Sequence, residues 1–71
     1  MTAPKNDLTS RELEVLKLLS EGLNSREIAE QLFISINTVQ YHRKQLLFKT
    51  QSNNVAQLIG RAFRMKLLSL K

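Results

Sequence analysis

Cysteine and tryptophan are absent from this chain, proline and histidine occur once each, and glycine occurs twice in 71 residues. Without cysteine there is neither a disulfide nor a thiolate metal site, and a single histidine cannot assemble a metal cage. No metal and no cofactor are therefore expected. Apolar packing must hold the fold, and at this length one core leaves only about 3 to 5 kcal/mol of net stability. Two domains do not fit. No apolar run approaches the roughly 18 residues that span a bilayer. The opening MTAPKND lacks the basic-then-apolar plan of a secretory signal. The expectation is a soluble, cytoplasmic chain with no membrane partner.

A second absence is local. Residues 1–34 hold all six acids against four bases, a net charge of −2, whereas from Ser35 onward there are seven bases and no acid, a net charge of +7. A half-molecule without carboxylates suits a polyanion, nucleic acid first and an anionic membrane second. A solvated basic surface would carry the same charges. An enzyme is not expected, because one histidine and acids confined to the first half cannot supply a nucleophile, a base and an orienting group together.

What is present is a helix-start signal written three times. In Leu8-Thr9-Ser10-Arg11-Glu12-Leu13 a capping hydroxyl is followed three residues later by a Glu that bonds back to the cap, with leucines on either side forming a staple. Leu23-Asn24-Ser25-Arg26-Glu27-Ile28 repeats the arrangement. A weaker copy, Ile34-Ser35-Ile36-Asn37-Thr38-Val39, has Thr38 in place of the Glu. Gly22 stands where the first helix should stop. The pattern predicts a first helix over Ser10 to Glu21, with Leu13, Val15, Leu16 and Leu19 inward. It predicts a second over Ser25 to about Leu32, with Ile28, Ala29 and Leu32 inward. A fourth begins near Asn53 or Asn54 and runs toward Met65, with Val55, Leu58, Ile59 and Ala62 as its apolar stripe. Nothing reads as a strand.

Two short helices joined by a tight connection, with the small Ala29 at the crossing, are the plan of a helix-turn-helix. Its buried positions would be Ile28, Leu32, Ile34 and Val39. On the third helix Ile36, Val39, His42, Leu46 and Leu47 fall on the arc facing the core. Asn37, Gln40, Tyr41 and Lys44 share the opposite face at i, i+3, i+4, i+7. That face offers amides, a phenol and a cation. A helix fits the major groove of B-DNA, where Gln pairs with adenine and Lys with guanine acceptors. Ser25, Arg26, Asn37 and Thr38 sit at two helix starts, where free backbone N–H groups already favour an anion. An exposed Gln or Lys is by default a solvated residue, and an inward histidine such as His42 is more often a hydrogen-bonded packing residue than a ligand. Phe48 interrupts the polar face and covers either a loop or a partner.

These residues resemble a known family. LTSRELEVLKLLSEGLNSREIAEQLFISINTVQYH, Leu8 to His42, is similar to the DNA-binding domain of LuxR/NarL/FixJ regulators, whose pattern runs L-T-x-R-E-x-E-V-L, G-x-S/N-x-x-E-I-A, L-x-I-S-x-x-T-V-x-x-H. Region 4 of bacterial sigma factors shares the earlier part of the pattern but usually lacks the histidine. The resemblance implies an all-α, compact four-helix helix-turn-helix domain over residues 8–67. Residues 1–7 would be a disordered segment or linker and 68–71 a tail. It implies sequence-specific binding of double-stranded DNA as the effector domain of a bacterial transcription regulator, with RNA polymerase a further partner and no small-molecule ligand in this domain. Gln40, Tyr41 and Lys44 would be base-contacting. Ser25, Arg26, Asn37, Thr38, Arg43 and Lys49 would be backbone-contacting. The fourth helix would form the interface of a homodimer on DNA through Val55, Ile59 and Phe63.

Departures from the family pattern are Gln40 for a common Lys, Arg43 for a frequent apolar residue, and KTQSNN before the fourth helix. Gly60 within that helix permits close approach or is merely tolerated. The competing reading is a protein-interaction module using the fourth helix, or a sigma-region-4-like module.

Overall fold

Four side-chain oxygens start four helices. In a computed structural model that describes residues 8–68, the helices are α1 (Ser10–Ser20), α2 (Ser25–Leu32), α3 (Ile36–Thr50) and α4 (Val55–Arg64), with no strand among the described residues. The expected N-terminal segment 1–7 and residues 69–71 of the expected tail lie outside the described residues. Thr9 Oγ1 accepts from the Glu12 N–H at 3.1 Å while Glu12 Oε1 accepts from the Thr9 N–H at 2.9 Å. Asn24 and Glu27 make the same reciprocal pair at 2.8 Å in both directions. At α3 Ser35 Oγ accepts from the Thr38 N–H at 3.1 Å and shares a 2.9 Å bond with the Thr38 hydroxyl. At α4 Asn54 Oδ1 accepts from the Gln57 N–H, and Gln57 Oε1 reaches back to the Asn53 N–H. Each start satisfies donors that the first helical turn leaves open.

The four stops share one geometry. A backbone N–H bonds five residues back in each case: Leu23 to Leu18 at 3.2 Å, Ile34 to Ala29 at 3.0 Å, Ser52 to Leu47 at 2.8 Å and Leu67 to Ala62 at 2.8 Å. The residue before that N–H is left-handed every time, at Gly22 (φ 95°), Phe33 (φ 59°), Gln51 (φ 56°) and Lys66 (φ 64°). This is the Schellman closure, normally given to glycine because a Cβ is strained there. Only Gly22 fits that preference.

The core is a single cluster of Val15, Leu16, Leu18, Leu19, Ile28, Ala29, Val39, Leu46, Leu58 and Ala62. Helix α3 is its axis, packing against α1, α2 and α4, while α1 also touches α2 and α4. Leu8, Leu23, Leu32, Ile34, Leu47 and Val55 are partly buried against it. Two expected core positions are corrected: Leu13 and Ile36 are exposed. Ile36 is the first residue of α3, one turn before Val39, where the helix has run past the packed centre to its rim. Leu32 is half-buried rather than buried, at the last position of the two-turn α2.

Between α3 and α4 the turn is fastened from inside. Buried Thr50 donates its hydroxyl proton to the Leu46 carbonyl at 2.8 Å, so the 2.7 Å contact with buried Ser52 is donated by Ser52. Both hydroxyls are thereby satisfied without water.

Gly60 lies exposed in the middle of α4, and a Cβ added there would meet nothing within 4 Å. Gly60→Ala is therefore expected to stabilise the chain by about 0.5 to 1 kcal/mol, the helix-propensity difference. Urea unfolding followed by circular dichroism measures it, and an unchanged or lower midpoint would count against an open site.

Candidate nucleic-acid interface

The outward face of α3 is built by the period of the helix. Val39 and Leu46, seven residues apart and fully buried, fix its rotation. Asn37, Gln40, Tyr41 and Lys44 consequently all lie exposed. Tyr41 keeps its ring edge-on to His42, with centroids 5.7 Å apart and planes at 63°, which limits where the phenol can swing. The absence of any acid from Ser35 onward leaves this helix without a carboxylate to repel phosphate. By contrast, the open depression lined by Leu23, Glu27, Glu30 and Gln31 is acidic and unsuited to a polyanion.

The residues expected to hold a DNA backbone separate into four groups. Arg26 and Asn37 are exposed at the starts of α2 and α3. Thr38 is half-buried, its hydroxyl shared with Ser35. Ser25 and Arg43, both half-buried, are bonded to each other: Arg43 Nη1 donates to Ser25 Oγ at 2.8 Å, and Ser25 Oγ donates onward to Gln40 Oε1 at 3.4 Å. Lys49 has a larger commitment inside the fold.

Lys49 Nζ reaches both carboxylate oxygens of Glu12, at 3.0 and 3.1 Å. Glu12 is 3% exposed. Burial by itself would raise its carboxyl. The Thr9 N–H, the Lys49 ammonium and the neighbouring His42 outweigh burial and hold Glu12 below its ordinary value. Sequence reasoning gave Glu12 only its capping role. His42 is half-buried, as an inward histidine should be, but its buried Nδ1 has no hydrogen-bond partner among the described residues. Phe48 is 74% exposed, so it does not pack beneath a loop of the described residues.

On α4 the three expected interface residues, Val55, Ile59 and Phe63, recur every four residues and are each half-buried. Val55 packs against the core cluster, and Ile59 and Phe63 continue its seam along α4, with Ala56 and Gly60 exposed next to Val55 and Ile59 in sequence. Among the described residues no three or more His, Cys, Asp or Glu side chains converge as metal ligands, and no helix is long and apolar enough to cross a membrane.

Residues 6–62, which carry all three capping motifs and the face just described, match the family described as bacterial regulatory proteins, luxR family. The chain belongs to this family. This is a family of bacterial regulatory proteins, not a class of enzymes, and the match favours the LuxR-type pattern over the sigma-factor one. It is 39% identical over 67 residues to the oxygen regulatory protein NreC of Staphylococcus aureus, in strains JH9 and USA300 alike. That alignment covers 94% of this chain and 31% of the relative, so the chain spans about a third of the length of the curated relatives it matches. Among solved structures, it is similar to the response regulator ChrA of a heme-sensing two-component system, with TM-score 0.86, 35% identity, and 92% of this chain and 32% of that one covered. It is also similar to the LuxR-type receptor VqmA of Vibrio cholerae, described as a dimer, with TM-score 0.83, 38% identity, and 86% and 28% coverage.

Proposed function

We propose that this domain binds a specific double-stranded DNA sequence as the effector part of a bacterial transcription regulator, with α3 in the major groove. Gln40, Tyr41 and Lys44 reach base edges, and Arg26, Asn37 and Thr38, with the backbone N–H groups beside them, hold phosphates. The observation that carries the reading is the exposed, carboxylate-free face of α3, on which Gln40 and Lys44 stand one turn apart. The rise of about 6 Å over those four residues brings the two side chains over neighbouring base steps. Lys49, tied to Glu12, contributes to the field at the edge of this surface more than as a mobile clamp.

Titrating duplexes across salt tests the proposal. If six to ten phosphates are engaged, affinity falls by about 10³ to 10⁵ between 50 and 200 mM salt. No duplex binding at low salt would overturn it. Gln40→Ala is expected to cost about 1 to 3 kcal/mol on the preferred sequence and to relax preference at one base pair. An equal loss on every sequence would mean that Gln40 touches only phosphate.

The domain pairs on a two-fold site through the Val55, Ile59 and Phe63 seam of α4. Sedimentation with DNA should show two chains per full site, and Ile59→Asp should reduce this to one. Should Ile59→Asp abolish all activity while Gln40→Ala and Lys44→Ala leave it intact, a protein-interaction module would replace the DNA reading.

A further inference from the structure

The Arg43 guanidinium and the Gln40 carboxamide meet at one hydroxyl. Ser25, the first residue of α2, places its Oγ 2.8 Å from Arg43 Nη1 and 3.4 Å from Gln40 Oε1, so that α2 and α3 are linked across 18 and 15 residues of sequence. The direction of this chain follows from donor inventory. A guanidinium only donates, so Ser25 Oγ accepts from Arg43, and its single proton is left for an acceptor. The carbonyl end of Gln40 is the acceptor beside it. A cation on the hydroxyl oxygen polarises the O–H and strengthens it as a donor, which offsets the length of the second contact.

A glutamine on an exposed helix is ordinarily unconstrained in which end of its amide points where. Here the carbonyl oxygen is turned toward Ser25, and the amide nitrogen is the end left for a ligand. We infer that Arg43 and Ser25 are positioning residues that fix the Gln40 carboxamide and present its N–H2 to an acceptor on a base edge. Purine N7, guanine O6 and thymine O4 are the acceptors of that kind in the major groove. The inference rests on the reading that α3 enters that groove. It gives Ser25 and Arg43 a role other than holding phosphate. Arg43 thereby acquires a role inside the domain, as the donor that begins the relay. A side chain held in place before binding loses less rotational freedom on binding, so the relay sharpens base preference more than it raises general affinity.

Selection from randomised duplexes with the wild-type chain, Gln40→Ala, Ser25→Ala, Ser25→Thr, Arg43→Met and the Ser25→Ala/Gln40→Ala pair tests this. The wild-type profile should peak at one base pair that Gln40→Ala flattens. Ser25→Ala and Arg43→Met should lower the preference at that same pair by about five- to tenfold, the scale of one side chain's ordering. Ser25→Thr, which keeps the hydroxyl, should retain the peak. The double variant should be no flatter than Gln40→Ala alone, since both changes act through one amide. Circular dichroism establishes that each variant is folded, and Arg43→Met carries the test should Ser25→Ala unfold. A peak left intact by Ser25→Ala and Arg43→Met overturns the inference. So does an equal loss on all sequences with a salt slope reduced by about one, the signature of a phosphate contact. A flat wild-type profile would instead overturn the DNA reading beneath it.

Discussion

Leu46→Ala leaves a large fraction of the chain unfolded at 25 °C. Leu46 is fully buried on α3, the helix that packs against all three others. Truncating such a leucine costs the transfer energy of the lost atoms and leaves a cavity, together about 2 to 5 kcal/mol. A single core of this size supplies about 3 to 5 kcal/mol in total, so the two quantities are comparable. Far-ultraviolet circular dichroism at 25 °C should show reduced helix content, and urea unfolding a midpoint near zero denaturant. Leu46→Met, which nearly conserves volume, should cost less than about 1.5 kcal/mol. Equal stability of the alanine and methionine variants would mean that the site collapses around the smaller side chain, contrary to the single packed cluster described above. The consequence for binding is direct: α3 carries both the core line and the outward face, so its rotation is lost with the core.

What the sequence made legible were features that act within a turn or two. All three early caps lie where their Ser, Thr or Asn stand, because a cap bonds only three residues along. The outward set Asn37, Gln40, Tyr41 and Lys44 followed from helical period and two apolar anchors. The stops were a different matter. Gly22 announces its left-handed conformation, but Phe33, Gln51 and Lys66 adopt it with side chains that disfavour it. There the signal was the next residue: Ile34 and Leu67 are apolar and half-buried after the closure, and Ser52 after Gln51 is buried with its hydroxyl on Thr50. Burial of that residue drives the chain into the strained conformation. The long-range pairs were least legible. Glu12 and Glu27 occupy the same place in the same capping motif, yet Glu12 is buried and Glu27 exposed. Lys49, 37 residues away, makes the difference. The bond between Arg43 and Ser25, 18 residues apart, was equally hidden, because the two are joined only by the packing of α3 on α2.

The Glu12–Lys49 pair has the second-largest expected effect, and it depends on pH. Glu12 is almost wholly buried while the Lys49 side chain is 20% exposed, so removing the two partners is not equivalent. Glu12→Gln leaves an ammonium that can still find water, and is expected to cost about 2 to 3 kcal/mol at pH 7, less than the 3 to 5 of a fully buried pair. Lys49→Met leaves a buried carboxylate with only the Thr9 N–H and the neighbouring His42 to offset its desolvation, and should cost more. Making both changes together should restore part of the loss, which a double-mutant cycle measures. Because folding lowers the Glu12 carboxyl from its ordinary value of 4.5, the folded chain binds fewer protons here than the unfolded one. The contribution is therefore complete above that value and is lost as pH falls through the lowered one. Stability of the wild-type chain should decline below about pH 4.5 more steeply than that of Glu12→Gln, so the gap between them narrows with acid. A constant gap from pH 7 to pH 3 would show that the cap and packing, rather than the carboxylate charge, hold α1 to α3. A narrowing gap means that the same charge pair that seats α1 on the end of α3 also fixes Lys49 at the edge of the proposed DNA surface.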